Sequence, residues 1–578
     1  MKLILRFIKP YRWLCAGTIL VMILDVAGGL LIPTIAADMI NVGIGGGNLR
    51  HLLQGGARML AVTVVTSSGG ILGGYLSAVL SAKVGRDLRN ALYDQSLTFS
   101  ETDFERFGTG SMITRTLNDV NVIQQGIVWF LQMVLPVPAV CLMGIFMAFS
   151  IDVQMGWLLI GVTALILALA VLVTRKASVI FDRLQKFLDR MNVVLRENVT
   201  GVRVIRAFHK EAFEEARMRK SFEAYAESAI KANRLFAGLE CIAVSAINLC
   251  VVLILWLGGN RIGAGVMEIG DITALTQYAV MILFYIVMAQ MVMILVPRAM
   301  ICVHRISEVL HHTPEIQDIA APDSRAGTRA GDEVVRFQGA GFRYADGDEM
   351  ALENLEFCCR RGETTAIVGS TGSGKSTIAK LILRFHDATS GAVLFQGRDV
   401  RQMPQKDLRA RISYVPQKAW LFSGTIAENL RYGDPLAEER QMEHALAVAQ
   451  AGFVEEMPDG LLSGVSQGGT NFSGGQKQRL AIARALMKRA DLYLFDDSFS
   501  ALDFKTDAAL RKALADETKN AAVLIIAQRI STIMNAEQIV VLENGRIAGI
   551  GRHDALMKTC RVYQDIARSQ MKGGGSDE

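Results

Sequence analysis

The segment Thr364-Thr365-Ala366-Ile367-Val368, then Gly369-Ser370-Thr371-Gly372-Ser373-Gly374-Lys375-Ser376, then Thr377–Leu383, reads as a strand, a glycine-rich loop and a helix in unbroken succession. The physics of that succession is specific. Glycines let consecutive backbone N–H groups curl around an anion, and the helix that follows adds partial positive charge at its N-terminus. Lys375 is placed to reach the β- and γ-phosphates of a nucleotide, and the Ser376 hydroxyl to ligate Mg²⁺. Gly369, Ser370, Thr371, Gly372, Ser373, Gly374, Lys375, Ser376 and Thr377 are therefore the candidate phosphate-binding residues.

Working outward, Leu492-Tyr493-Leu494-Phe495-Asp496 is an apolar strand that ends in a carboxylate, suited to hold Mg²⁺ from the side opposite Ser376. Between the two motifs lies Phe472-Ser473-Gly474-Gly475-Gln476-Lys477-Gln478-Arg479. Ser473, Gly474, Gly475 and Gln476 open a helix and form a second phosphate cradle. One nucleotide does not readily fill both cradles of a single chain. A head-to-tail dimer, with each nucleotide held between one chain's loop and the other's serine-glycine turn, is the natural arrangement. From Val334 onward, β-branched strands alternate with amphipathic helices, predicting an α/β domain over 333–570.

The first half has a different character. Hydrophobic residues make up 51% of the 578 and charged residues 20%, and the mean hydropathy is +0.30, which places part of the chain in lipid. Six stretches reach the ~20 residues needed to span a bilayer: 13–35, 57–82, 127–149, 155–174, 239–257 and 272–296. Lys2, Arg6, Lys9 and Arg12 precede the first, which is too long for a signal-peptide core and lacks a small-residue cleavage site. Connections 2–3 and 4–5 are long and charged. Basic residues recur from Arg175 through Lys176, Arg183, Lys186, Arg190, Arg196, Arg203, Arg206 and Lys210, whereas the short loops carry only Arg50, Arg58 and Arg261. That bias puts the N-terminus and both long loops in the cytoplasm, and the nucleotide-binding half belongs there independently, since that is where ATP is. Both long loops read as helices that continue beyond the lipid. They are either a solvated pair packing on itself or a lever to the second half. The net charge of +5 gives no case for nucleic acid, and the eight cysteines, with no CxxC or Cys/His spacing, read as reduced packing residues. A linker is expected over 313–332 and a flexible tail over 571–578.

With these motifs in place, the whole chain resembles the ABC transporter family, in particular multidrug-type exporter half-transporters. The expected fold is an α-helical six-span membrane domain (1–312) followed by an α/β P-loop ATPase domain. The resemblance implies ATP and Mg²⁺ as ligands, a plasma-membrane location, and a second half-transporter as partner. Tyr344 resembles the family's adenine-stacking aromatic, and Gln417 in Val415-Pro416-Gln417 the glutamine that links Mg²⁺ to the membrane domain. Ser500-Ala501-Leu502-Asp503 is similar to the loop that crosses the dimer interface. Gly108-Thr109-Gly110 with Arg115, Asn118 and Asp119, and Glu197–Gly201 with Arg206, Ala207 and Phe208, resemble its two cytoplasmic loops.

Two departures stand at the reaction centre. The family's glutamate after the metal-binding aspartate is Asp497 here, and its switch histidine is Gln528 in Ile526-Ala527-Gln528-Arg529. Aspartate is one methylene shorter, a retreat of roughly 1.5 Å, and misplacement on that scale costs on the order of 10²-fold in rate. Gln528 can hydrogen-bond a phosphate but cannot take a proton. Together the changes remove an expected ~3–5 kcal/mol of transition-state stabilisation. The expectation is a heterodimer in which this chain's own site is slow and its intact Ser473–Gln476 turn completes the partner's fast one. A working homodimer with tolerated variations is the alternative.

The cargo is less specified. Met281, Met288, Met291 and Met293, with Phe284 and Tyr285, suit either a promiscuous apolar cavity or plain packing. Asp25, mid-helix, marks a polar pathway for cations or a hydrogen bond to a neighbouring helix. Export of small amphipathic compounds, export of a dedicated peptide or lipid, and ATP-gated regulation without pumping all fit.

Overall fold

The computed structural model describes residues 2–293, 295–318, 332–344 and 347–572. Most of the expected linker, the end of the tail, and the side chains of Met291 and Met293 lie outside the described residues. The chain divides into two compact units, Met1–Thr98 with Phe104–Thr313, and Phe99–Asp103 with Pro314–Glu578.

The first unit is helical. Among the described residues, six helices are long and apolar enough to cross a membrane, within Lys2–Ile44, Leu49–Leu97, Thr109–Ile151, Val153–Leu172, Val244–Gly263 and Ile269–Gln290. The first two cross at very small separation, since a Cβ on Gly28 would lie 1.9 Å from Thr66 Cγ2. Small residues permit that approach, and dispersion then holds helices that gain nothing from leaving lipid. Thr34 and Tyr278 share a 2.6 Å hydroxyl contact between the first and sixth helices. The third span is interrupted by a π-helical turn at Phe130–Val134, directly before Pro136, whose ring cannot sit in an unbroken α-helical ladder.

The long connection between the fourth and fifth spans is made of two helices, each continuous with one of those spans. Val153–Ala207 runs 55 residues and Glu211–Gly263 runs 53. Asp152 caps the first of these by accepting from the N–H of Gln154 and Met155, and it also pairs with Arg261. Burial works to raise the Asp152 carboxyl, but Arg261 and the two backbone donors outweigh it and hold it low.

In the second unit a six-stranded sheet runs in the order Arg546–Gly551, Gln538–Glu543, Thr364–Gly369, Ala522–Ile526, Leu492–Asp496, Ile412–Val415. Only the first pairing is antiparallel. The strands Ala366–Val368, Leu492–Phe495 and Ala522–Ile526 are buried, as parallel strands covered on both faces must be. A four-stranded sheet of Leu352–Arg360, Glu333–Phe342, Ser390–Phe395 and Arg398–Asp399 completes the unit.

Candidate nucleotide site

Four neighbouring parallel strands aim their carboxyl ends at one edge of the large sheet. Ile367 lies opposite Ile526, Ile526 opposite Asp496, and Phe495 opposite Val415. Loops leaving such an edge meet, and ligands bind in the crevice they form. The strand before Gly369 delivers the glycine-rich loop, the next delivers Gln528, the third Asp496 and Asp497, the last Gln417. Their spatial order, and not their order in the chain, assembles the site. The result is a cleft of about 300 Å³ lined by Tyr344, Lys375, Ser376, Gln417, Asp496 and Gln528, among others.

Within it, the helix after the loop begins at Lys375, and Gly374 sits at φ +94° with a would-be Cβ only 2.6 Å from Leu352 Cδ2. Only glycine takes that backbone without strain. Lys375 Nζ donates to the carbonyls of Gly369 (3.0 Å) and Ser370 (2.6 Å), folding the loop around its own ammonium. Burial pushes the Lys375 amine down from its ordinary value, with the charges of Asp497 and Asp496 acting the other way. Ser376 Oγ donates to Asp496 Oδ1 at 3.1 Å. Burial pushes the Asp496 carboxyl up, and the Ser376 hydroxyl opposes that.

The Ser373 hydroxyl is buried in the loop and has no hydrogen-bond partner among the described residues. An orphaned donor in a cradle of backbone N–H groups is what an anionic ligand would satisfy. The hydroxyl–carboxylate pair of Ser376 and Asp496 is likewise a hard-oxygen set that suits Mg²⁺. Tyr344 flanks the cleft, half-exposed, its hydroxyl 3.1 Å from Thr377 Oγ1.

Asp497 is held more firmly than sequence reasoning suggested. Its backbone is left-handed at φ +48°, its N–H donates to Ile526 O at 2.8 Å, and its carbonyl accepts from Ser500 Oγ at 2.9 Å. Its Oδ2 accepts from both Gln417 Nε2 (3.2 Å) and Gln528 Nε2 (3.0 Å). Nothing in the spacing of these three residues along the chain signals that they meet.

The second cradle is a helix N-terminus with a complete capping box. Ser473 Oγ accepts from Gln476 N–H, and Gln476 Oε1 accepts from Ser473 N–H. Gly475 packs so closely that a Cβ would lie 3.1 Å from Ala501 O. Asp503 caps the helix Phe504–Glu517 through Thr506 N–H. Sequence reasoning missed Glu101 and Lys380, which pair at 2.8 Å within the second unit. A carboxylate 279 positions from its partner leaves no local signal.

Of the candidate substrate-path residues, Asp25 is partly buried beside the second helix, where a Cβ on Gly70 would lie 3.5 Å from its Oδ1. It has no hydrogen bond or ion pair among the described residues. Met281 packs against the first helix, its Cε 2.9 Å from a would-be Cβ on Gly29, while Met288 is half-buried.

Comparison with known proteins agrees with this architecture. Residues 14–287 match the model of the ABC transporter transmembrane region, and residues 352–500 match that of the ABC transporter proper. The chain is 40% identical over 576 residues to an uncharacterized ABC transporter ATP-binding protein of Mycobacterium tuberculosis, covering 99% of this chain and 98% of that protein. It is 30% identical over 512 residues to the ATP-dependent lipid A-core flippase of Desulfotalea psychrophila, covering 86% and 87% of the two. The structure of a bacterial Atm1-family ABC exporter with ATP bound is similar at TM-score 0.81 and 26% identity, over 98% of this chain and 99% of that one.

Proposed function

The chain belongs to the ABC transporter family as a half-transporter with its membrane and ATPase domains on one polypeptide, and from that premise we propose that it is the slow-site subunit of a heterodimeric exporter. It is a multi-pass plasma-membrane protein whose cytoplasmic ATPase domain drives export, and half-transporters of this kind work as dimers. The heterodimer, the slow site and the class of cargo are our reading.

In that reading Tyr344 stacks on adenine, the loop Gly369–Ser376 cradles the phosphates, and Ser376, Gln417 and Asp496 hold Mg²⁺. When bound, the ion offsets negative charge on the phosphates. Hydrolysis forms a bond from water oxygen to the γ-phosphorus and breaks the bond to the oxygen that leaves with ADP, and the water's proton needs an acceptor. On this reading Asp497 takes the acceptor's role, on a side chain one methylene short. Gln528 donates a hydrogen bond but takes no proton. Nucleotide is therefore bound well and cleaved slowly, keeping the two ATPase domains together over several turnovers at the partner's site. The observation that carries the reading is an intact binding set, Lys375, Ser376 and Asp496, beside two substitutions at the reacting corner.

The test is to trap radiolabelled nucleotide during turnover of the purified dimer and identify it on each chain. Intact ATP on this chain and ADP on the partner supports the reading. Equal ADP on both overturns it. Full cargo-stimulated turnover by a homodimer of this chain overturns the heterodimer.

For cargo, we propose small amphipathic cations, because Asp25 is a carboxylate within a membrane helix, without a hydrogen-bond or ion-pair partner among the described residues. A lipid-like cargo is the second reading, favoured by the 30% identity to a lipid A-core flippase. Stimulation of ATP turnover by a permanently charged cation, but not by its neutral isostere, decides for the first.

A further inference from the structure

We infer that Gln528 acts with Gln417 as a clamp on Asp497, so that the slow site is maintained by immobilising the carboxylate and not by its shortness alone. This deepens the slow-site reading and rests on it. A carboxylate oxygen accepts about two hydrogen bonds along its lone pairs, and both on Asp497 Oδ2 come from side-chain amides, at 3.0 and 3.2 Å. The amides arrive from opposite flanks, Gln528 from the loop after Ala522–Ile526 and Gln417 from the loop after Ile412–Val415, the strands on either side of Leu492–Asp496. The backbone of residue 497 is fixed as well, through its N–H to Ile526 and its carbonyl to Ser500. Two amides on one carboxylate oxygen, above a fixed backbone, oppose the swing that would carry the group toward a water.

The residue type at 528 matters for a second reason. A neutral imidazole presents one donor and one acceptor nitrogen, and can turn its acceptor elsewhere. An amide NH₂ donates in every protonation state. Glutamine thus holds the carboxylate permanently where histidine would hold it conditionally. Gln528 is on this account a positioning residue, and its effect reaches the reaction through Asp497.

The consequence is a non-additive pattern of reversion. Lengthening the side chain alone leaves both amides in place to capture the new carboxylate. Releasing the clamp alone leaves the acceptor too short. In the dimer as isolated with its partner, this chain is photolabelled with azido-ATP during turnover, and the ratio of ADP to ATP on it is read over time. Asp497→Glu is expected to raise cleavage on this chain by threefold or less. Asp497→Glu with Gln528→Ala is expected to raise it at least tenfold above Asp497→Glu, although alanine supplies nothing to the phosphate. The readout is the ratio of ADP to ATP, so a change in the total label retained does not enter it. Should alanine at 528 destabilise the loop, Gln528→Met keeps the bulk and removes the donor. The clamp is overturned if Asp497→Glu alone gives the full gain, or if removing the donor at 528 adds nothing to it. Rapid ADP formation on the unmodified chain would instead overturn the slow-site reading beneath it.

Discussion

At the scale of single residues, the site separates holding nucleotide from cleaving it. Lys375 belongs to the first task, with its ammonium drawn into the loop by the carbonyls of Gly369 and Ser370. Lys375→Ala should weaken nucleotide binding at this site by tenfold or more, about 1.4 kcal/mol, as read by a fluorescent ATP analogue. Transport should fall with it, although little ATP is cleaved here. Asp497 belongs to the second task. Asp497→Asn should change steady-state ATPase of the dimer by less than twofold, whereas the same change at the partner's glutamate should nearly abolish it. A comparable loss from both would make this site a principal catalyst. Asp25 poses a separate question within the membrane unit. Asp25→Asn should lower the stimulation by a cationic amphipath about tenfold and leave the neutral isostere's effect unchanged. An equal loss for both would reduce Asp25 to a packing residue.

At the scale of elements, the glycine-rich loop and the capped helix Gly474–Leu486 each depend on one residue that geometry dictates. Gly374→Ala meets both a left-handed backbone and the Leu352 side chain. It should cost more than ~1 kcal/mol of stability and abolish nucleotide binding, measured as thermal unfolding with and without ATP. Ser473→Ala removes one half of the capping box and should cost about 1 kcal/mol of stability, with the functional loss falling on the partner's site. The six spans and the two helical extensions were legible because apolar runs and the placement of basic residues are local signals. The π-helical turn at Phe130–Val134 was not read, although Pro136 stands beside it, since proline alone does not say how a helix accommodates it. The strand–loop–helix at Thr364–Ile382 was legible for the same reason as the spans: its parts are contiguous. The resemblance put Asp497 and Gln528 at one reaction centre, but the hydrogen bonds that Gln417 and Gln528 make to Asp497 were not legible, because they depend on which strands lie side by side, and neighbours in this sheet are up to 173 positions apart. The Glu101–Lys380 pair escaped on the same ground.

At the scale of the whole molecule, two ATP-dependent effects should be separable. Binding at this chain's loop stabilises the folded dimer by mass action, about 2.7 kcal/mol at a hundredfold excess over the dissociation constant, and that gain should appear without hydrolysis. Cargo movement should require cleavage at the partner's site. A melting temperature that rises with ATP in the wild-type dimer and fails to rise with Lys375→Ala would establish the first effect. The long helix Val153–Ala207 carries a further consequence. The apolar stretch read from the sequence ends at Thr174, and the 33 residues from there to Ala207 extend roughly 50 Å at ~1.5 Å each. The Debye length at physiological ionic strength is ~8 Å. Arg203 and Arg206, near the far end, therefore lie several screening lengths beyond the apolar stretch and are electrically blind to lipid charge. Replacing neutral with anionic lipid should leave both arginines unaffected while added salt reaches them, so one continuous helix runs from the field of the lipid into that of the bulk electrolyte.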